Sequence, residues 1–378
     1  MVTQAIFQQA LTAAINSTFI QNKTGLGALL AHSLASTVPT VSNATHNVNL
    51  PLDRFALGAN LAAWTLRTGN TTFLPAITAL QCSFEAQPWN ENGGLWYYDN
   101  PNNFTAYQNL SYFDGMYSVA PFIAIQALLF NSSNSQTGME TALNTALEQV
   151  QILHSICVKP DGLLVHGYDA LKAHAWANST TGASPEVWGR SLAWYSLGLL
   201  NTLEMVSTMQ GLERSRAFVE LQCLFQEAMD AQVRAAQHSQ AVTGTMGVWQ
   251  VVDRPGELEN FVEASSSFMT AYSLLRGRRL GFLDAHYRSH RNRGHFTTIA
   301  RDIYQTVSQK YLIKHVNGSL SLDGTSEIAS LSPLNVSYEY YVTRQRVIDS
   351  LIGTSAFVLA SLEVARLGST DAACSNDR

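Results

Sequence analysis

Residues 161–194 read DGLLVHGYDALKAHAWANSTTGASPEVWGRSLAW. An apolar run broken by glycine comes first and reads as a short strand or tight loop. His166 and Asp169 lie within it, a polar Ser/Thr/Gly/Pro loop follows, and then a helix begins that presents Trp188, Arg190 and Trp194. Tryptophan faces supply apolar contact area, and arginine offers a planar fork for two oxygens. Together they suit a ring-shaped ligand that carries a carboxylate, an acidic sugar. They do not say what happens to that sugar.

The glycine–apolar–aspartate loop recurs. It appears as NGGLWYYD around Gly94, PDGLLVHGYD around Gly162, TGTMGVWQVVD around Gly247 and NGSLSLDG around Gly318. Successive copies are roughly 70 to 85 residues apart, which leaves room for a helical hairpin between them. Apolar residues at i, i+3, i+4 and i+7 predict helices over 54–68, 72–84, 115–129, 139–157, 185–206, 215–237, 261–280, 297–311 and 346–367. The first residues, MVTQAIFQQALTAAINSTF, read as a further amphipathic helix and not as a signal peptide, since they lack a basic start and a continuous apolar core. Hairpins whose decorated loops return at intervals predict a ring of paired helices with the loops gathered at one end. No linker or composition shift divides residues 1–378, so one domain is expected.

The bulk numbers narrow the function. The chain is 46% hydrophobic, enough for a large core, and only 13% charged, with a net charge of −5. Nothing draws it to nucleic acid or to an anionic membrane. A basic cluster (Arg276, Arg278, Arg279, Arg288, Arg291 and Arg293) is expected to be a solvated helix end and loop. No uninterrupted apolar run approaches the ~18 residues that span a bilayer. Ten of 23 asparagines (Asn16, Asn22, Asn43, Asn70, Asn103, Asn109, Asn131, Asn178, Asn317 and Asn335) stand in N-x-S/T. Composition alone would give about four, so a secreted, N-glycosylated protein is expected. Cys82, Cys157, Cys223 and Cys374 are far apart and form no C-x-x-C pair, which argues against a zinc or redox motif. Disulfides and buried free thiols both remain open for them.

Two aspartates precede apolar helices, Asp53 in NLPLDRFALGANLAAW and Asp114 in LSYFDGMYSVAPFIAIQALLF. Each has the position of a helix N-cap. Each could instead face the mouth of the ring. Two carboxylates in contact there would split their pKa values and leave one protonated near neutrality. That is an acid with a partner, as general acid–base chemistry requires. His166 has no second ligand at metal spacing, so a metal site is not expected. Arg190, if buried, needs a partner, which could be a protein carboxylate or a ligand. Neither a nucleophile elbow nor a phosphate-binding glycine loop is present.

Four segments carry a family resemblance: LDRFALGANLAAW at 52–64; GGLWYYD at 93–99 with YFDGMYSVAPF at 112–122; GLLVHGYD through SLAWY at 162–195; and GVWQVVDRPGELENFVEASSSFM at 247–269, followed by YEYYVTRQRV and GTSAFVLASLE. In these the chain resembles glycoside hydrolase family 105, the unsaturated rhamnogalacturonyl hydrolases, which are related to the unsaturated glucuronyl hydrolases of family 88. The resemblance implies an all-α (α/α)6 barrel, a six-hairpin toroid with short β-containing loops at one end. It implies hydration of a C4=C5 enol ether in the terminal sugar of a lyase product, with no cofactor or metal. It places Asp114 on the family's acid/base and Asp53 on its second catalytic-site aspartate. His166, Trp188, Arg190 and Trp194 fall on substrate-contacting positions, with Arg190 expected to hold the sugar carboxylate.

There are departures from the pattern. Tyr97 and Tyr98 replace a basic dipeptide that faces the second sugar in bacterial relatives. Ser118 replaces a larger apolar residue, and Ile352 stands where a histidine is often seen. The chain also reaches Asp53 early, so that either the first hairpin is trimmed or the chain is truncated. The expected partner is an acidic unsaturated oligosaccharide, with galacturonyl–rhamnose from pectin as the leading substrate. An unsaturated glucuronyl substrate, or a non-catalytic carbohydrate-binding role on the same barrel, is the alternative.

Overall fold

A computed structural model describes residues 1–99, 105–130, 136–209, 211–283 and 293–375. The chain runs through α1 (Val2–Asn16), α2 (Thr24–Val41), α3 (Ala44–Val48), α4 (Arg54–Thr68) and α5 (Leu74–Glu85). It continues through α6 (Met116–Phe130), α7 (Gln136–Cys157), α8 (Gly189–Val206) and α9 (Arg216–Thr243). Then come α10 (Ala264–Arg279), α11 (Arg293–Tyr311), α12 (Tyr338–Val342) and α13 (Leu351–Ser375). Two antiparallel strand pairs join β1 (Leu110–Tyr112) to β2 (Gly167–Asp169), and β3 (Leu312–Lys314) to β4 (Leu320–Leu322).

Helices α1, α4, α6, α8, α10 and α13 pack each on the next, and α13 returns to α1, closing an inner ring. Helices α2, α5, α7, α9 and α11 lie outside it, each against the inner helix that precedes it in the chain. With six inner helices and five outer ones among the described residues, this is the (α/α)6 toroid. The layers follow from composition. Residues 189–200 of α8 are buried without interruption, because this helix meets the lumen on one side and the outer layer on the other. Helices α6 and α8 approach so closely that a Cβ at Gly198 would lie 2.3 Å from the Met116 carbonyl oxygen. Only glycine fits that crossing.

Two 18-residue helical windows, Phe113–Phe130 and Leu351–Gly368, have the length and mean apolar composition of a membrane span, although neither is an uninterrupted apolar run. Both are walls of the ring, and the first is 72% buried within the protein.

Three of the four recurring loops adopt one geometry. At Asn90, Lys159 and His315 the backbone N–H donates to the carbonyl four residues on, and the carbonyl accepts from the N–H three residues on. The intervening Gly93, Gly162 and Gly318 have φ of 78°, 84° and 83°, the left-handed region that glycine enters without steric cost. Short pairings then link loop to loop around one mouth of the ring. Tyr97 pairs to Leu110, β1 to β2, Trp188 to Val251, Trp249 to Val262, and Ser326 to Arg346. This belt satisfies backbone groups that the mouth would otherwise leave unpaired.

The belt also moves three helix starts. Helices expected at 185, 261 and 346 begin at Gly189, Ala264 and Leu351, because Trp188, Val262 and Arg346 are engaged in the pairings. Helix α2 has no counterpart in the sequence reading. Its periodicity is weak and it holds Pro39.

The basic cluster is not simply a solvated helix end. Arg276 pairs with Glu204 of α8 and Glu363 of α13, and Arg279 with Glu363. Arg288 and Arg291 lie outside the described residues, as does the Arg293 side chain. Cys82, Cys157 and Cys223 are free thiols; the side chain of Cys374 lies outside the described residues. Of the sequon asparagines, Asn16, Asn22, Asn43, Asn70, Asn178, Asn317 and Asn335 are exposed and Asn109 is half-buried. Asn103 and Asn131 lie outside the described residues.

Candidate active site

The belt encloses a cavity of about 170 Å³. Asp53, Asp114, Trp188, Arg190 and Trp194 all line it, beside Tyr97, Tyr98, Tyr107 and Tyr112. This is small against the ~300–1,000 Å³ of ordinary ligand pockets and suits one terminal sugar ring. A larger hollow of about 510 Å³ lies among α1, α2, α4, α6 and α8. Its walls are mostly apolar and hold neither aspartate. Tyr117, which donates to Gln9 at 2.8 Å and packs on Trp194, stands between the two.

Neither aspartate is spent as a helix cap. Asp53 has the N-cap position of α4, yet its side chain makes no capping hydrogen bond. Its Oδ1 instead accepts from the Tyr97 hydroxyl at 2.9 Å. Burial pushes its pKa up to about 6. The amino-terminal ammonium and the Tyr97 hydroxyl oppose the rise, and the Asp114 charge adds to it. Asp114 sits in a 3-10 turn, Phe113–Gly115, between β1 and α6. Its Oδ2 accepts from the Ser191 hydroxyl at 2.5 Å and lies 3.1 Å from His166 Nε2. At that second distance the imidazole does not aim a well-formed hydrogen bond at the oxygen, and Nε2 has no hydrogen-bond partner among the described residues.

His166 is fully buried. Its Nδ1 meets the Tyr341 hydroxyl at 2.8 Å, and its ring packs at 4.7 Å on Trp188. Trp188 Nε1 donates to Gln250 at 3.2 Å. Three of these neighbours, Ser191, Tyr341 and Gln250, had no role assigned from the sequence pattern. Ser191 stands one residue after Arg190, and its signal was only that it shares a helix face with the lumen.

Arg190 is buried and already paired. Its Nη2 donates to Glu263 at 2.6 Å and to the Ser326 carbonyl at 2.6 Å, and its Nε to Ser265 at 2.9 Å. Of the two partners open at the sequence level, the one present here is a protein carboxylate. Burial would raise the pKa of Glu263, but Arg190 and the Ser266 N–H outweigh it and hold the carboxyl below its ordinary value. The signal for Glu263 was legible: a buried arginine requires an anion.

One wall of the cavity is aromatic. Tyr97 stacks on Tyr112 with ring centroids 4.3 Å apart and planes 9° apart, and Tyr98 meets Tyr107 edge-on at 5.1 Å. Ile352 and Ile328–Ser330 complete it. Ser118 is buried with no hydrogen-bond partner among the described residues.

The toroid, with two uncapped carboxylates facing a sugar-sized aromatic cavity at its mouth, has the makings of a glycosidase. The chain belongs to glycosyl hydrolase family 88, whose family profile matches residues 30–368. Protein Atu3128 of Agrobacterium fabrum is 30% identical over 241 residues, covering 60% of this chain and 92% of that protein. Among solved structures, a family 105 glycoside hydrolase from C. acetobutylicum superposes with a TM-score of 0.77 at 22% identity, over 96% of this chain and 92% of that one. An unsaturated glucuronyl hydrolase from Bacillus sp. GL1, responsible for glycosaminoglycan degradation, gives 0.60 at 12% identity over 97% and 86%.

Proposed function

We propose that the protein removes the C4=C5 unsaturated galacturonyl residue from oligosaccharides released by rhamnogalacturonan lyases. The observation that carries this reading is the pair Asp53 and Asp114: Asp53 has the N-cap position of α4 but makes no capping bond, Asp114 sits in the turn before α6, and both line one cavity. Asp114 donates its proton to C4, and positive charge develops at C5 beside the ring oxygen. Water adds at C5 and returns a proton to Asp114. The C5 hemiketal opens to a ketone, and the hemiacetal left at C1 releases the aglycone as an alcohol. Asp53 orients the water or the sugar beside Asp114. Trp188 and Trp194 give the ring apolar faces. No covalent glycosyl-enzyme is needed, so carboxylate separation does not predict stereochemistry here.

The double bond erases the configuration at C4, so the second sugar must discriminate between substrates. Among the described residues lining the cavity, the cation is Arg190, and Glu263 neutralises it. Tyrosines and Ile352 line the rest of that wall, which favours an uncharged second sugar such as rhamnose. The exposed sequons support a secreted glycoprotein acting on pectin fragments outside the cell.

The test is ultraviolet absorbance of a rhamnogalacturonan-lyase digest. Hydration destroys the conjugated C=C–carboxylate chromophore. The expected outcome is loss of absorbance that falls at least ~100-fold in Asp114→Asn. Loss only on unsaturated glucuronyl oligosaccharides would move the substrate and keep the chemistry. No loss on either, with oligosaccharide binding retained, would mark a binding protein.

A further inference from the structure

Tyr97 touches both carboxylate-bearing segments. Its N–H donates to the Leu110 carbonyl at 2.8 Å, in the strand that leads to Asp114. Its carbonyl accepts from the Leu52 N–H at 2.9 Å, one residue before Asp53. Its ring lies flat on Tyr112, two residues before Asp114, and the Tyr112 hydroxyl is itself fixed by Ser330 and the Leu331 N–H. Its own hydroxyl ends on Asp53 Oδ1. One residue thus ties the approach to α4 to the approach to α6, the two inner helices that carry the aspartates.

We infer that Tyr97 is a positioning residue: its hydroxyl fixes the Asp53 carboxylate while its backbone and ring fix the segment that leads to Asp114. The inference rests on the function proposed above. Burial drives the Tyr97 hydroxyl well above its ordinary pKa, and the nearby aspartate charges push the same way. It therefore remains a donor throughout the working range. A donor to a carboxylate favours the anion. The other groups acting on Asp53 are Asp114, the amino-terminal ammonium and the Val2 N–H, while Arg54 and Tyr117 feel its charge. None of these is altered by removing one phenolic oxygen.

The test is the pH profile of kcat for Tyr97→Phe, which keeps the backbone bonds and the ring stack. A hydrogen bond to a charged group is worth enough to move a pKa by about one unit or more. The acid limb, set by protonation of Asp53, should move up by about one pH unit. At a pH just below that limb kcat should fall about tenfold, with KM changed less than about threefold. A profile that superposes on the wild type, or a uniform loss without a shift, would overturn the inference. Tyr97→Leu separates the roles further: loss of the ring as well should lower kcat at every pH beyond the Phe variant. If the unaltered protein turns over no unsaturated uronyl substrate, it is the function that fails, and this comparison is then read from the titration of Asp53 by NMR.

Discussion

At the residue scale, Asp53 is held where its charge is unfavourable. Its folded pKa, about 6, exceeds the ordinary 3.8. Between those values the native state binds a proton that the unfolded state has lost, so stability falls as pH rises through that window. Above it, the ionised carboxylate carries the full cost. Asp53→Asn is therefore expected to abolish turnover yet raise stability at pH 7 by about 1–2 kcal/mol, allowing for its partial exposure. The gain in Tm should shrink as pH falls toward 4. A variant no more stable at pH 7 than the wild type would contradict this. A residue that costs stability and is needed for turnover is one retained for chemistry. The sequence located both aspartates, with capping as the default reading of the residues and catalysis implied by the family resemblance. What decided between them was the side chain's direction, which depends on Tyr97 and Ser191, residues 44 and 77 positions away in the chain.

At the element scale, the Arg190–Glu263 pair fastens α8 to α10 inside the belt, and the Ser326 carbonyl and hydroxyl complete the guanidinium's bonds. Glu263 also caps α10 by accepting from the Ser266 N–H. Glu263→Gln leaves a buried cation without its anion and should cost roughly 3–5 kcal/mol, lowering Tm by roughly 4–6 °C at pH 7. The folded pKa of Glu263 lies below 4.5, so its contribution is complete above that pH and is lost as pH falls through the lower folded value. The melting curves of variant and wild type should therefore converge in acid; a constant gap at all pH would refute the assignment. Helix periodicity placed α4, α8, α10 and α13 well along their lengths. It failed at the starts of the last three, because cross-loop pairing claims residues whose local pattern is helical. It missed α2, whose apolar residues are not confined to one face.

At the scale of the whole molecule, the ring closes through α1, which meets α13 on one side and α4 on the other. The loops gather at one mouth, and the exposed sequons are distributed over the length of the chain. Expression in a secretory eukaryotic host should add mass that an N-glycan-removing amidase takes away. Glycopeptide mapping should find sugar at exposed sites such as Asn178 and Asn317 before half-buried Asn109. An unmodified secreted product would count against the extracellular reading.

The sequence by itself determined the helical period, the glycine turns and the recurrence of their loops, and so the toroid. These depend on near neighbours and on backbone sterics that each residue carries with it. It also marked the aspartates, the tryptophans and the arginine by type and spacing. Only the tertiary structure decided what those residues face. Arg190 meets Glu263, Asp53 meets Tyr97, and Asp114 meets Ser191 and His166. Those partners come from other hairpins, and burial and charge act through space, so closing the ring was what set them.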